Sequence, residues 1–290
     1  MATDARERTQ PQVLLAVVGW PVAHSRSPQM MNAALRAVGL DAWRYLRLPV
    51  APESFVAVVR ELPALGYRGV NVTIPHKIAA AELAEVRSDA VAKTGAANTL
   101  WFADGAVAAD NTDVGGLLDA IPREVRGLRA VVLGAGGAAR AAAWALVSAG
   151  AADVAVWNRT RERARELAES LGCRVAHEPL ASAPDLLVNA TSVGLDPTLA
   201  LDDALAALGL AGSTPPATVV DLVYGDHETP LERWARRAGA VFVHGLEVLV
   251  RQGARSFERW TGRTAPLEVM RSAVGLDSGG DRPAPPRVRV

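Results

Sequence analysis

Cysteine is almost absent from this sequence, because Cys173 is the only one in 290 residues. A single cysteine cannot form a disulfide within the chain, which excludes a small secreted domain held together by disulfides. The N-terminal residues also lack the basic start and long apolar run of a secretory signal peptide. These absences predict a cytoplasmic protein whose stability comes from its core.

Net charge is absent too, since 31 basic residues balance 31 acidic ones. Without a net field, neither nucleic acid nor an anionic membrane is expected as a partner, and no apolar run is long enough to span a membrane. A chain that is 50% hydrophobic can bury a large core, and its length predicts two domains. This balance favours an enzyme that acts on a small molecule, and we predict no metal site.

Lysine is scarce, because only Lys77 and Lys93 are lysines among the 31 basic residues. Arginine serves a protein surface as well, but it cannot release its proton near neutral pH, so a retained lysine indicates a place that needs a titratable amine. Asparagine is scarce as well, and most of its few positions fall in the polar motifs described below: Asn71, Asn98, Asn111, Asn158 and Asn189.

Apolar runs typical of strands alternate with helical patterns along the chain, which predicts an α/β fold with helices on both faces of parallel strands. In the first part we expect strands over 14–18 and 69–74, and a helix over 28–38 with Ser27 as its N-cap. Asp104-Gly105, between two short apolar runs, predicts a hairpin turn.

A second α/β series starts near Leu128 and is followed by two helical patterns, over 246–260 and 267–274. We therefore predict a first domain over 1–112, completed by the C-terminal helices within 246–275, and a second domain over 113–245. The segment 276–290 is rich in Gly, Pro and Arg and is expected to be disordered. Strands of the second series are predicted over 130–133, 154–157, 186–189, 219–222 and 241–243.

The strongest local motif is a strand that runs into a glycine-rich turn and an Ala-rich helix. Its glycines permit a tight turn and the close approach of a pyrophosphate to backbone N–H groups at a helix N-terminus. An ordinary glycine turn is the alternative, but the complete strand, loop, helix and strand favour a Rossmann dinucleotide site. The residues predicted to contact the cofactor here are Gly134, Ala135, Gly136, Gly137 and Ala138.

The next strand ends in Asn158-Arg159-Thr160, where NAD-binding proteins usually place an acidic residue against the ribose. A basic residue without a carboxylate at this point favours a 2′-phosphate. The cofactor is therefore predicted to be NADP rather than NAD.

Polar residues interrupt the predicted strand over 69–74, where alternation places Asn71 and Thr73 on one face and Ile74 with the valines on the other. Ligands of open α/β sheets bind at the carboxyl ends of strands, so Asn71, Thr73 and Lys77 are placed to meet one. An edge strand with one wet face explains the pattern equally well. Similarly, Ser25 and Ser27 precede a helix start, and 110–113 has the composition of a turn.

Taken in order, seven polar and glycine-rich segments resemble the shikimate dehydrogenase family over about residues 17–274. Each segment is short, but their number and order make the resemblance specific. The segments are Gly19-Trp20-Pro21-Val22-Ala23-His24-Ser25-Arg26-Ser27-Pro28, Asn71-Val72-Thr73-Ile74-Pro75-His76-Lys77, Gly95-Ala96-Ala97-Asn98-Thr99, Asp110-Asn111-Thr112-Asp113, Gly134-Ala135-Gly136-Gly137-Ala138, Asn158-Arg159-Thr160 and Asn189-Ala190-Thr191-Ser192.

The resemblance implies that Lys77 and Asp113 are the catalytic residues. It places Asp89, Leu222 and Gly245 near the cofactor. Relatives commonly read G-L-G where this chain has Gly245-Leu246-Glu247, and the sequence leaves open whether that carboxylate faces the cofactor. The residues that it implies for substrate contact are Ser25, Ser27, Thr73, Asn98, Tyr224 and Gln252.

The implied reaction is the reversible reduction of 3-dehydroshikimate to shikimate with NADPH, in the shikimate pathway of aromatic amino acid biosynthesis. Reducing a ring ketone needs a hydride and a proton, and Lys77 can exchange that proton while Asp113 orients it. The partner is then a small-molecule substrate bound in a cleft between the domains, and the protein is a monomer or homodimer.

Two alternatives remain open. A related quinate/shikimate or aminoshikimate dehydrogenase shares nearly all of these residues, although Ser27, in place of the Thr of an S-x-T segment, favours shikimate. From a different class, a non-catalytic NADP-binding sensor has the same fold. Retention of both Lys77 and Asp113 argues against the sensor.

Overall fold

The computed structural model of the chain describes residues 12–276. Within these residues two six-stranded sheets form, each flanked by helices, so the fold is α/β as predicted. The segment predicted to be disordered lies, from residue 277 onward, outside the described residues.

The first sheet is built from β1 (Val13–Gly19), β2 (Trp43–Pro49), β3 (Tyr67–Val72), β4 (Val86–Arg87), β5 (Thr99–Ala103) and β6 (Ala106–Asp110). Its strand order is β2-β1-β3-β5-β6-β4, and β5 runs antiparallel to both of its neighbours. Asp104 and Gly105 join β5 to β6 with φ of 53° and 78°, which confirms the predicted hairpin, since both positions of such a turn need positive φ.

Helices cover both faces of this sheet because the intervening segments bury apolar stripes against it. They are α1 (Ser27–Ala37), α2 (Phe55–Glu61) after a 3₁₀ turn (Pro52–Ser54), α3 (Lys77–Leu83) and α4 (Asp89–Thr94). Phe55 and Val59 of α2 are buried with Val70 of β3, each on the order of 1.5–3 kcal/mol of apolar burial.

The second sheet is built from β7 (Arg129–Leu133), β8 (Asp153–Trp157), β9 (Arg174–Val175), β10 (Leu186–Asn189), β11 (Thr218–Asp221) and β12 (Val241–Val243). All its pairs are parallel, in the order β12-β11-β10-β7-β8-β9 of a doubly wound Rossmann sheet. The five strands predicted here agree with the structure to within one residue at each end. Its strand order reverses between β7 and β10, which is where such sheets bind ligands.

The remaining helices are α5 (Thr112–Ala120), α6 (Gly137–Ser148), α7 (Arg161–Leu171), α8 (Leu201–Ala207), α9 (Pro230–Arg237), α10 (Gly245–Thr261) and α11 (Leu267–Ala273). The last two pack back on the first sheet, where Phe257, Trp260 and Met270 share a buried cluster with Leu15 and Met30. Helix α5 packs along α10, and its Leu117 belongs to the core of the second sheet. These two helices therefore connect the sheets.

Three sequence expectations are wrong in detail. Ser27 is not the N-cap of α1, because the helix begins at Ser27 itself, Arg26 occupies the cap position, and Ser25 Oγ accepts from the Ser27 N–H at 3.3 Å. The turn expected over 110–113 is a junction, since β6 ends at Asp110 and α5 begins at Thr112.

The third error concerns the end of β3. The strand stops at Val72, so Ile74 lies beyond it and is 65% exposed instead of on the core face; the Ile74-Pro75 peptide bond is cis. The edge-strand alternative is also excluded, because β3 lies between β1 and β5. The face of β3 that carries Asn71 is buried, since Asn71 is only 6% exposed.

Candidate active site

A cavity of about 550 Å³ lies between the two sheets. It is lined by residues near the carboxyl ends of β1 and β3 in the first sheet, and by the loops after β10 and β11 in the second. Helix α10 closes one side. The cavity brings together all eight residues predicted to bind substrate or act in catalysis: Ser25, Ser27, Thr73, Lys77, Asn98, Asp113, Tyr224 and Gln252.

Lys77 and Asp113 form an ion pair in this cavity. The Nζ atom of Lys77, at the start of α3, lies 2.6 Å from Oδ2 of Asp113, in the first turn of α5. Their side chains are 15% and 20% exposed, so one side of the pair faces the cavity. An amine held against a carboxylate in an accessible cavity can give or take a proton at a bound group.

Asn98 holds the other oxygen of Asp113. Its Nδ2 atom donates to Asp113 Oδ1 at 2.8 Å and lies 3.1 Å from Gln252 Oε1. Gln252 in turn donates through Nε2 to the Leu249 carbonyl within α10, at 2.8 Å. Residues far apart in sequence thus share one hydrogen-bonded cluster.

Ser25 and Ser27 present buried side chains, 6% and 5% exposed, to the same cavity. The loop that carries them is fixed by Arg47, whose guanidinium donates twice to the Ser25 carbonyl at 2.7 and 3.1 Å. Two neighbouring hydroxyls on a fixed backbone suit a carboxylate or a vicinal diol. Burial raises the pKa of Tyr224, which keeps its phenol protonated as a donor.

The glycine-rich turn after β7 lies beside the ion pair. A Cβ atom on Gly137 would lie 3.2 Å from the Cβ of Lys77, so the start of α6 contacts the catalytic candidate. Gly134 has φ of 110°, and Gly136, the N-cap of α6, has open space where its Cβ would be. Backbone N–H groups at the start of a 12-residue helix, next to open space, fit a pyrophosphate.

Four further cofactor candidates lie outside the cavity lining, as do Gly134, Ala135, Gly136 and Gly137 of the turn, whereas Ala138 belongs to it. Asn158, Arg159 and Thr160 connect β8 to α7, where the Asn158 side chain donates to the Thr160 carbonyl at 2.8 Å and Arg159 is exposed. Asp89 is exposed in the first turn of α4, a helix that packs against α6. An exposed arginine at the end of the second Rossmann strand fits a 2′-phosphate.

Leu222 and Gly245 both line the cavity. A Cβ on Gly245 would lie 2.7 to 2.8 Å from three backbone carbonyls at the end of β11, so only glycine fits there. Glu247, which the sequence left undecided, pairs with Arg251 at 2.8 Å and with Arg271 of α11. Its charge is therefore neutralised by arginines, and it lies outside the cavity lining.

Asp221, which no sequence motif singled out, joins the two loops on this side of the cavity. Its carboxylate accepts from Asn189 Nδ2 and Thr229 Oγ1, each at 2.8 Å, and from the Val223 N–H at 3.1 Å. Burial raises the pKa of Asp221 to about 6, against which these three hydrogen bonds act, and the charge of Glu232 adds to the rise.

Several cavity residues were missed or left without a role by sequence reasoning. His24, Thr191, Ser192 and the apolar Trp20 lie within quoted motifs, whereas the apolar Leu195 lies outside all of them. Thr191 and Ser192 follow the carboxyl end of β10. Because ligands of open α/β sheets bind at that end of the strands, their position in the sequence could have identified them as candidates. The two apolar residues are 51% and 50% exposed at the cavity.

Residues 12–276 contain no cluster of three or more His, Cys, Asp and Glu side chains that could hold a metal ion. In the same part of the chain, no helix combines the length and apolar character needed to cross a membrane.

Three family profiles match successive parts of the chain. Residues 17–100 match the shikimate dehydrogenase substrate binding domain, residues 117–193 match shikimate / quinate 5-dehydrogenase, and residues 245–274 match the shikimate 5′-dehydrogenase C-terminal domain.

Known proteins are similar over nearly the whole chain. Shikimate dehydrogenase (NADP(+)) of Anaeromyxobacter dehalogenans is 45% identical over 286 residues, covering 92% of this chain and 97% of that protein. The enzyme of the same name from Methanothermobacter thermautotrophicus is 42% identical over 270 residues, covering 89% and 94%. The crystal structure of shikimate 5-dehydrogenase from Thermus thermophilus in complex with NADP(H) and shikimate superposes with a TM-score of 0.79, at 38% identity, covering 90% and 98%.

Proposed function

The chain belongs to the shikimate dehydrogenase family, and on that premise we propose that it catalyses the reversible, NADP-dependent reduction of 3-dehydroshikimate to shikimate. The observation that carries the proposal is the Lys77–Asp113 pair, 2.6 Å apart, between the substrate candidates and the glycine-rich turn. This reaction belongs to the shikimate pathway of aromatic amino acid biosynthesis.

Lys77 serves as the proton donor in reduction. Bound NADPH supplies the hydride, and the Nζ ammonium of Lys77 gives its proton to the carbonyl oxygen. Asp113 holds the ammonium in place through Oδ2. In the reverse direction the Lys77 amine takes the proton from the reacting hydroxyl. General acid–base catalysis of this kind is typically worth about 10²–10⁴-fold in rate.

The other cavity residues bind and orient the substrate. Ser25 and Ser27 hold the carboxylate with their hydroxyls, and Tyr224 donates from the same side. Thr73, Asn98 and Gln252 contact the ring hydroxyls. Because Asn98 hydrogen-bonds to Gln252, and Gln252 to the backbone of α10, these two side chains need little ordering when substrate binds.

The cofactor is held by residues of the second sheet. The backbone of Gly134, Ala135, Gly136, Gly137 and Ala138 receives the pyrophosphate, because Gly136 leaves room at the start of α6. Asn158, Arg159 and Thr160 receive the 2′-phosphate, and Leu222 and Gly245 contact the nicotinamide. The family resemblance also places Asp89 beside the cofactor.

The proposal extends to organisation. Residues 1–112 with the helices of 246–275 form the substrate domain, and residues 113–245 form the NADP domain. The protein acts in the cytoplasm as a monomer or homodimer, which light scattering distinguishes.

The test of function is to measure kcat/KM for shikimate, quinate and aminoshikimate, each with NADP and with NAD. We expect shikimate with NADP to exceed every other pair, because quinate carries an additional hydroxyl that the Ser25 and Ser27 pocket must accommodate. Equal values for shikimate and quinate contradict the assignment and favour a quinate/shikimate dehydrogenase. Binding of NADP without turnover of any substrate favours the sensor.

The cofactor assignment is tested by Arg159→Ala. Losing a charge-assisted contact to phosphate costs on the order of 2 kcal/mol, so KM for NADP should rise about thirtyfold while KM for NAD stays nearly unchanged. Arg60→Ala, at an exposed arginine of α2, is the matched control. If Arg159→Ala raises both KM values equally, the residue supports the fold instead.

A further inference from the structure

The side-chain amide of Asn98 carries an oxygen and an NH₂ group, and only the NH₂ group can donate a hydrogen bond to the Asp113 carboxylate. Its Nδ2 atom lies 2.8 Å from Asp113 Oδ1, and its Oδ1 atom lies 2.8 Å from the N–H of Thr112. If the amide were turned over, two oxygens would face each other and two N–H groups would face each other. The orientation of Asn98 therefore decides whether Asp113 is held or repelled.

Thr99 contributes to this orientation from behind the cavity. Its Oγ1 atom lies 3.0 Å from Asn98 Oδ1 and 3.1 Å from Asn71 Nδ2. Because an amide nitrogen only donates, the Thr99 oxygen accepts from Asn71, and its hydrogen is free to point at Asn98 Oδ1. Ser256, 2.8 Å away, can satisfy the remaining lone pair by donating.

Asn71 is oriented in turn by the backbone carbonyl of Asn98, whose hydrogen-bonding direction is certain. Its Nδ2 atom lies 3.1 Å from the backbone carbonyl of Asn98, which only accepts, and its Oδ1 atom receives the Tyr45 hydroxyl at 2.7 Å. Burial raises the pKa of Tyr45 well above its usual value, so the phenol remains a donor. Asn71 and Thr99 face each other as a register pair between β3 and β5.

We infer that Thr99 is a positioning residue for the proposed reaction, because its hydroxyl holds the Asn98 amide with the NH₂ group towards Asp113. Thr99 is fully buried and lies outside the cavity lining, so it acts through Asn98 without touching substrate. The inference rests on the proposed function, in which Asp113 holds Lys77 and Asn98 contacts the ring hydroxyls.

The test compares two substitutions of Thr99. Thr99→Val keeps the shape and removes the hydroxyl, and we expect kcat/KM for shikimate to fall about tenfold, as for one lost buried hydrogen bond. KM for NADP should stay within about twofold, because the glycine-rich turn belongs to the other sheet. Thr99→Ser restores the hydroxyl and should return kcat/KM to within about twofold of wild type.

Thr218→Val is the matched control. Thr218 is equally buried, lies at the start of β11 in the second sheet, and is outside the cavity lining. This substitution makes the same change of shape and polarity at a buried strand position and should leave kcat/KM unchanged. Equal losses of activity in Thr218→Val and Thr99→Val indicate a general packing effect and overturn the inference.

Two further outcomes also overturn it: a folded Thr99→Val enzyme with wild-type kcat/KM, or a Thr99→Ser enzyme as slow as Thr99→Val. If Thr99→Val does not fold, Thr99→Ala decides, because it also removes the hydroxyl and should lower kcat/KM for shikimate with KM for NADP unchanged. Wild-type kinetics in a folded Thr99→Ala enzyme then overturn the inference. Wild-type enzyme that fails to oxidise shikimate with NADP disproves the proposed function instead.

Discussion

Lys77 shows what the scarcity of lysine does and does not indicate. Both lysines of the chain were predicted to mark places that need a titratable amine, and Lys77 meets a carboxylate in the cavity. Lys93, however, lies exposed over the Trp144 ring at 5.8 Å, a contact that arginine also makes. Composition therefore selects the candidates, and the neighbouring groups in the fold separate them.

The first prediction separates the charge of Lys77 from its proton. Lys77→Arg keeps the charge, but guanidinium cannot exchange a proton near neutral pH, so both Lys77→Arg and Lys77→Ala should lower kcat about 10²–10⁴-fold. KM for shikimate should change much less. Lys93→Arg is the control and should retain full activity. Steady-state kinetics of folded variants decide the matter, and a Lys77→Ala enzyme within a fewfold of wild type shows that another group carries the proton.

Asp221 is a buried carboxylate with a raised pKa, and this makes stability depend on pH. In the unfolded chain the group ionises near 3.8, whereas in the folded protein it ionises near 6. Below 3.8 it is neutral in both states, and above 6 it is charged in both, with the folded state carrying the cost of a buried charge. Its contribution to stability is therefore fully present below pH 3.8 and lost as pH rises through 6.

The second prediction follows from this sign. The size of the shift corresponds to about 3 kcal/mol. Asp221→Asn keeps the shape and cannot ionise, so the unfolding free energy of wild type relative to this variant should fall by about 2 kcal/mol between pH 4 and pH 7, most of the full effect. Urea denaturation of both proteins at several pH values measures the difference, in which the titration of other groups cancels. A difference that does not vary with pH contradicts the buried, ionising carboxylate.

At the scale of elements, the crossing of α5 and α10 positions Asp113 and Gln252, which these two helices carry to the cavity. Gly116 of α5 lies so close to α10 that a Cβ would be 2.6 Å from the backbone nitrogen of Gln252. A Cβ on the adjacent Gly115 would instead meet the Arg255 guanidinium, which is the flexible end of a side chain. Close approach of the helices therefore depends on Gly116 and sets the separation of Asp113 from Gln252.

The third prediction compares alanine at these two positions. Gly116→Ala must push backbone atoms apart, and overpacking of this kind costs about 1–3 kcal/mol. Gly115→Ala displaces only the exposed Arg255–Asp119 pair, worth about 0–1 kcal/mol, which the helix propensity of alanine, about 1 kcal/mol better than glycine, offsets. Thermal melting and KM for shikimate should both worsen in the first variant only. Similar behaviour of the two variants shows that the crossing has room to adjust.

At the scale of the whole molecule, the proposed substrate and cofactor residues lie mainly on different sheets, and one cavity is lined by residues of both sheets. Ligands that bind only the folded state stabilise it by mass action, by about 2.7 kcal/mol at a concentration 100 times Kd. We therefore expect each ligand to stabilise most strongly the sheet that binds it.

The fourth prediction uses hydrogen exchange to test the proposed domains. NADP should slow exchange most in the turn over 134–137 and the adjoining strands of the second sheet. Shikimate should slow it most around Ser25, Thr73 and α10. The comparison is made on the full chain with each ligand alone. Protection by NADP confined to the first sheet rules out the proposed division of 1–112 and 113–245.

Most of the fold could be predicted because it follows from local patterns. The period of apolar residues and the glycine turn depend on neighbours in sequence, so the Rossmann strands were placed to within one residue. Short or half-exposed strands were missed, including β2 (Trp43–Pro49) and β9 (Arg174–Val175), since β9 has two residues and β2 mixes arginines with its apolar residues. The end of β3 was misplaced because the alternation of apolar and polar residues continues to Ile74, although the strand stops at Val72.

By itself, the sequence determined the α/β class, the order of the motifs and hence the family, because these properties reside in the kind and spacing of residues along the chain. The tertiary structure alone decided what each polar group meets. It turned Glu247 towards Arg251 and Arg271, and set the amide of Asn98 between Thr112 and Asp113. The physical reason is that hydrogen bonds and ion pairs act over about 3 Å, and only the folded chain brings residues distant in sequence within that reach.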